Sequence, residues 1–281
     1  MLRKKCKRRL RMFDDFTLQD IGASRLVSQQ AQLNYIDMTL THYASALASS
    51  EAAMSYLHQT RGLSKSVLRQ FAVGYCDRSL ATKLPDAESF EGAMIRGTLQ
   101  RFGLIKPNGR ELFRGSIIIP IKNESGTLVD VYGRKVAKYQ RKGAQFQLNI
   151  HSVPVSLFNA EILLTHRDVI LCSSPIEALS LISCGVKNVV SMMGLESVSP
   201  IFVEQLQANG VTQVTLGLAN TPQGHRYKVL ITQMLKSIGV EHHELILPTG
   251  EDINSVMVKA QHMHGLCEQL CVNLPLRETC H

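Results

Sequence analysis

Three short polar turns hold the side chains with which this chain could do acid, base or metal chemistry. "CSSPIEA" offers Ser173, Ser174 and Glu177; "LGLANTPQGH" offers Ala219, Asn220 and Thr221; "LPTGEDIN" offers Glu251, Asp252 and Asn254. Turns of this kind, from an apolar strand into a helix, carry metal-binding aspartates in many enzymes. Mg²⁺ sheds water reluctantly and takes anionic oxygens, so the chemistry depends on the acids present. Glu177, Glu251 and Asp252 are the candidates, enough for one weak cation. The middle turn has the pattern of such a site and no carboxylate. Two of these acids also have a plain reading: an exposed helix carboxylate for Glu177, the N-cap of the next helix for Asp252.

Phosphate contact is the second chemistry on offer. Arg114, Arg134, Lys138 and Tyr139 lie in or after a strand pair, and "MLRKKCKRRLR" adds Lys4, Lys5, Lys7, Arg8 and Arg9. The formal net charge is +8, and that opening stretch holds seven basic residues and no acid, so the body is close to neutral. Two readings stay open for it, a solvated start and a clamp on a phosphate backbone. The seven cysteines form no CxxC pair and no Cys/His set with zinc spacing. No apolar run approaches the roughly 18–20 residues of a membrane helix, and no apolar core follows the basic start as in a secretion signal. The expectation is a folded protein of a reducing, cytoplasmic setting, bacterial or nucleoid-associated, with no membrane partner.

The elements that must position these residues can be read from periodicity. Residues 39–71 read as helices, with Ser64 as an N-cap; 12–38 are weakly periodic. Residues 116–136 read as two strands joined at Asn123–Gly126, with Pro120 placing part of the first at an edge. From 168 onward apolar strands alternate with amphipathic helices: "DVILC", "KNVVSMM", "QVTLGLA" and "HELILP" as strands, with helices opening at Pro175, Pro200 and Gly224 and closing at Gly185, Gly210 and Gly239. That alternation means a parallel sheet covered on both faces, with ligands beyond the carboxyl ends of its strands.

The order of parts resembles the catalytic core of bacterial DnaG-type primases with its Toprim (topoisomerase–primase) domain. "YLHQTRGLSKSVLRQFAVGY" (56–75) is similar to the family's YL-x-x-RGL segment with its FxxGY ending. "LFRGSIIIPIKNESGTLVDVYGRKV" (112–136) is similar to its FRGRIxFPIxDxxGxxxGFGGR block, and "LPTGEDIN" (247–254) to its LP-x-GKDPD ending. The resemblance covers about residues 40–255. It implies an α/β fold: a mixed α+β N-terminal subdomain (39–165), then a Toprim-like parallel four-stranded sheet with helices on both faces (166–255). A basic tail and lead-in (1–38) and a C-terminal helix or tail (256–281) flank them.

In that family a Glu-Gly pair and an Asp-x-Asp pair hold Mg²⁺ at nucleotide phosphates. By position these fall on Ser173–Ser174 and on Ala219–Asn220–Thr221. Glu177 matches a further acid, Asp252 is kept, and its partner is Asn254. In the basic block a family Arg becomes Ser116 and a Gly becomes Asp130, while Arg114, Gly133, Arg134, Lys138 and Tyr139 stand at or near matching positions and imply a groove for template and nucleotide. Residues 1–38 hold only Cys6, so no zinc module is expected. The resemblance thus implies a primase-like protein that binds single-stranded DNA or DNA/RNA but lacks metal-dependent transfer by itself. It would act as a binding or assembly subunit with a protein partner in replication, repair or mobile-element biology. Two alternatives stand beside it: a divergent Mg²⁺- or Mn²⁺-dependent primase completed by a partner, and a protein-only adaptor.

Overall fold

The structure, a computed structural model, describes residues 18–136 and 145–262, with side chains over 30–136 and 145–260. Helix α1 (Leu18–Ser49) runs unbroken through the region read as lead-in, so the boundary expected at 38/39 falls inside a helix. Its stripe Ile36, Leu40, Tyr43 and Leu47 recurs at helical spacing and is buried. A short helix α2 (Glu51–Ser55) leads into a single π-helical turn at Tyr56–Thr60 and then α3 (Lys65–Gln70). Ser64 caps α3 as expected, its Oγ accepting from Val67 N at 3.3 Å. Helix α4 (Phe90–Phe102) has no counterpart in the periodicity reading. Its signals are local: Ser89 accepts from Gly92 N, and Gly103 ends it at φ 100°.

These helices pack around an antiparallel sheet ordered β1-β2-β3-β4, with β1 at Gly74–Tyr75, β2 at Ser116–Lys122, β3 at Leu128–Lys135 and β4 at Gln147–Asn149. The hairpin turn is where expected, with Asn123 Oδ1 accepting from Thr127 N and Gly126 at φ 77°. Pro120 sits within β2, paired with Val131, but β1 reaches only Ile117 and Ile118, so β2 is an edge at the proline.

The second sheet is parallel, ordered β6-β5-β7-β8: β5 (Asp168–Cys172), β6 (Val189–Ser191), β7 (Gln213–Gly217) and β8 (Glu241–Glu244). Helices α5 (Pro175–Ser183), α6 (Pro200–Ala208), α7 (Pro222–Ser237) and α8 (Ile253–His262) cover it. The alternation of β5 divides them. Ile170 and Cys172 join Ile176 and Leu179 of α5 and Ile253 and Met257 of α8. Val169 and Leu171 join Phe202 and Leu206 of α6 and Ile231 and Leu235 of α7. The first of these clusters also contains Leu57, Leu63, Ile117, Ile119 and Tyr132, so the two sheets share one core across the boundary expected at 165/166.

Two expected elements shift. The last strand is Glu241–Glu244, set by pairing with Gln213–Leu216, and Ile246 beyond it is 91% exposed, which a half-buried strand would not allow. Helix α7 opens at Pro222 rather than Gly224. Thr221 is its N-cap and accepts from Gly224 N at 3.1 Å. Gly224 is needed for another reason: a Cβ there would lie 1.9 Å from the Ala219 carbonyl oxygen. Gly224→Ala is expected to destabilise the protein by about 2–3 kcal/mol, since backbone and not a flexible side chain must move. Thermal unfolding against His225→Ala, the exposed neighbour, checks this; equal melting temperatures would contradict it.

Candidate nucleic-acid cleft

The carboxyl ends of β5, β6 and β7 open into a cleft of about 820 Å³. Its opposite wall comes from Arg134 at the end of β3, from β4, and from Ile150 and His151. Ser173, Ser174 and Glu177 line it from the β5–α5 turn, Ala219 and Thr221 from the β7–α7 turn, and Asp252 and Asn254 from the start of α8. Chain segments far apart in sequence meet there because parallel strands deliver all their following turns to one end of the sheet.

The geometry gives each of these residues a local task. Glu177 is buried, not the exposed helix carboxylate that its position also allowed. Ser173 Oγ donates to Oε1 at 2.6 Å, Ser174 Oγ donates to Oε1 at 3.2 Å, and Ser173 N donates to Oε2 at 3.2 Å. Burial pushes the carboxyl up to about 7 against the pull of the Ser173 donors, and the charge of Asp252 adds to the rise. Asp252 caps α8: Oδ1 accepts from Ser255 N at 2.7 Å, and Ser255 Oγ accepts from Asp252 N at 3.0 Å. Glu251 is not on the cleft wall; it pairs with Lys259, which holds its carboxyl below the usual range.

Asn254 is 2% exposed. Its Oδ1 accepts from Arg61 Nη1 at 3.0 Å, while Nδ2 donates to the Arg61 carbonyl at 2.8 Å and to Ser180 Oγ at 2.7 Å. Asn220 bridges the turns, its Nδ2 donating to the Leu247 carbonyl at 2.7 Å. Among the described residues no three His, Cys, Asp or Glu side chains are grouped to share a metal ion.

Of the expected cations, Arg134 is on the cleft wall and Arg114 is not. In the amide orientation that satisfies its neighbours, Gln147 accepts from Arg134 Nη1 at 2.9 Å and donates to Tyr132 Oη and the Met193 carbonyl at 3.2 Å. Arg114 joins a second cluster. Burial and the charges of Arg78, Lys106 and Arg114 together hold the Lys135 ammonium below its ordinary range, although Lys135 donates to the Arg114 carbonyl at 2.5 Å. Lys138, Tyr139, Lys4, Lys5, Lys7, Arg8 and Arg9 lie outside the described residues. Arg61 is a cleft residue that the motif reading quoted without assigning it. It follows the π turn, donates to Tyr56 Oη at 3.0 Å, and lies 5.3 Å from the Tyr56 ring centroid. The RGL motif was its signal.

Comparison with known proteins fits this architecture. Residues 42–149 match the family of the DNA primase catalytic core, N-terminal domain, and 170–257 match a Toprim-like family. The chain carries the N-terminal domain of a DnaG-type primase catalytic core followed by a Toprim-like domain. The DNA primase of Aquifex aeolicus is 25% identical over 235 residues, covering 77% of this chain and 44% of that one. The DNA primase of Staphylococcus epidermidis is 26% identical over 231 residues, covering 75% and 36%. The primase-like chain thus spans less than half the length of these curated relatives. Its fold superposes on the zinc-binding and RNA polymerase domains of the Aquifex aeolicus primase with a TM-score of 0.70 at 21% identity, covering 86% of this chain and 61% of that one. A DnaG primase catalytic domain bound to single-stranded DNA gives 0.66 at 20% identity, covering 87% and 82%. No described helix of this primase-like core is long and apolar enough to cross a membrane.

The Glu177 geometry yields a stability test. A carboxyl whose folded pKa is raised contributes most below its unfolded pKa, and that contribution is lost as pH rises through the folded value. Against Glu177→Gln, the wild type is expected to lose about 3 kcal/mol of unfolding free energy between pH 4.5 and 8. Denaturant unfolding of both proteins across that window measures it; parallel profiles would show that burial does not hold the proton on Glu177.

Proposed function

We propose that this chain is a primase-core protein that binds single-stranded nucleic acid and does not by itself carry out metal-dependent nucleotidyl transfer. The observation that carries this reading is the commitment of the cleft's donor atoms to the fold. The Ser173 and Ser174 hydroxyls donate to Glu177, the Thr221 hydroxyl caps α7, and the Asp252 carboxylate caps α8. Asn254 presents its amide nitrogen to two acceptors, so an aspartate there would face the Arg61 carbonyl with an oxygen. These groups do not fit a pair of Mg²⁺ ions. Such a site needs several anionic oxygens at octahedral geometry, whereas Ala219 brings none and Glu177 is drawn toward its neutral form.

Nucleic-acid affinity is supported by Arg61 and Arg134 on the cleft wall and by the crowded cations Arg78, Lys106, Arg114 and Lys135. Clustered cations of this kind attract phosphate backbones. The proposed role is a binding or assembly subunit inside the cell, working with a protein partner in replication, repair or mobile-element biology.

A catalytic reading keeps one favouring observation: Glu177 and Asp252 share the cleft, and the charge of Asp252 acts on Glu177. Primer synthesis on single-stranded DNA with Mg²⁺ or Mn²⁺ and labelled nucleotides separates the two. No product above background is expected. Robust product abolished by Glu177→Ala would replace the binding reading with the enzymatic one. Gel shifts across a salt series test the affinity itself: binding should weaken as salt rises, with a slope of about −0.7 per phosphate contacted. Absence of binding at about 50 mM salt would favour a protein-only adaptor. Deleting residues 2–11 in the same gels should weaken binding if the opening basic stretch clamps the backbone.

A further inference from the structure

Two side chains given no role above meet at the rim of the cleft opposite Glu177. Asp130 on β3 is 2% exposed. Its Oδ1 accepts from Val131 N at 2.7 Å and from Ile150 N at 3.1 Å. Its Oδ2 has no hydrogen-bond partner among the described residues and faces His151 Nδ1 at 3.5 Å. The His151 side chain is 45% exposed and lines the cleft just after β4. A buried carboxylate oxygen without a donor is costly, and a protonated imidazole at that spot supplies both a donor and a charge. Burial raises the Asp130 carboxyl, against the backbone donors and the His151 charge that lower it.

The other charged groups on the cleft wall are Arg61, Arg134, Glu177, Glu196 and Asp252. Two cations against three acids leave the wall short of positive charge for a phosphate ligand. Histidine is the side chain whose ordinary range lets it supply that charge between pH 5 and 8. With Nδ1 facing Asp130 Oδ2 at 3.5 Å, Nε2 is the nitrogen left for a ligand.

We propose that His151, held in place by the buried Asp130 carboxylate, is a phosphate-contacting residue of the cleft, and that its protonation tightens binding of the sugar–phosphate backbone of single-stranded nucleic acid. Asp130 is a positioning residue in this scheme. The proposal rests on the nucleic-acid reading above, and its test is arranged so that the two can fail separately.

The probe is a fluorescein-labelled oligo-dT strand, its affinity measured by anisotropy at constant ionic strength from pH 5.5 to 8.0. Wild type is expected to lose about fivefold in affinity over that range, the worth of one charge-assisted contact. His151→Gln should bind weakly with a flat profile, and its salt slope at pH 5.5 should be smaller by about 0.7. His151→Lys should bind tightly with a flat profile, and Asp130→Asn should lose the low-pH gain. Because His151 is half exposed, its variants keep the test alive if Asp130→Asn does not fold. A pH slope that survives in His151→Gln, or that disappears instead in Glu177→Gln, overturns the assignment. So does a His151-dependent slope seen with inorganic triphosphate but not with the strand. Loss of all strand binding by wild type at every pH would sink the nucleic-acid reading first and this inference with it.

Discussion

The carboxamide of Asn254 joins three parts of the chain that lie far apart in sequence. It accepts from the Arg61 guanidinium, donates to the Arg61 carbonyl, and donates to Ser180. Helix α8, helix α5 and the turn after the π-helical segment are thereby fixed in one register at the floor of the cleft. The shared apolar core supplies most of the adhesion between the two sheets, but apolar contact is non-directional. Hydrogen bonds buried at 2% exposure are directional, and breaking one leaves an unsatisfied partner at a cost of about 1–3 kcal/mol. The cleft draws on this joint, because its walls come from both sheets.

Seen from that joint, the polar residues of the cleft form a self-contained network. Glu177 is satisfied by the two serines of its own turn, and Asp252 by the first turn of α8. A carboxylate wrapped in protein donors loses the free lone pairs that a hard cation would take. The same turn-to-helix geometry that can present acids to a metal here closes upon itself. Arg61, Arg134 and His151 stand on the same wall, beside Glu196 and Asp252.

Much of this was legible in the sequence, and the legible parts share a cause. The alternation from 168 onward, the first-turn prolines 175 and 200, and the closing glycines 185, 210 and 239 all report local backbone requirements. So did the strand pair with its Asn123–Gly126 turn. The misreadings are also local in origin. The long helix α1 hides its start because its apolar stripe is narrow and Gln, Ser, Asn and charged residues such as Asp20, Arg25 and Asp37 interrupt it. Helix α4 buries Ile95 and Leu99 but leaves Phe90 and Met94 exposed, so its apolar residues do not keep to one face. The strand over 243–248 was drawn from apolar composition, while pairing with β7 sets its length.

By itself the sequence determined the two kinds of sheet, the positions of the turns, and the absence of carboxylates from the β7–α7 turn. Those follow from residue type and period, which need no partner. Only the tertiary structure decided that Glu177 is buried and held by serines, that Asn254 is tied to Arg61, and that His151 stands over Asp130. Each of these is a contact between side chains whose meeting depends on how the sheets pack. Its energetics depend on solvent exclusion, a property of the folded whole that no single stretch of chain carries.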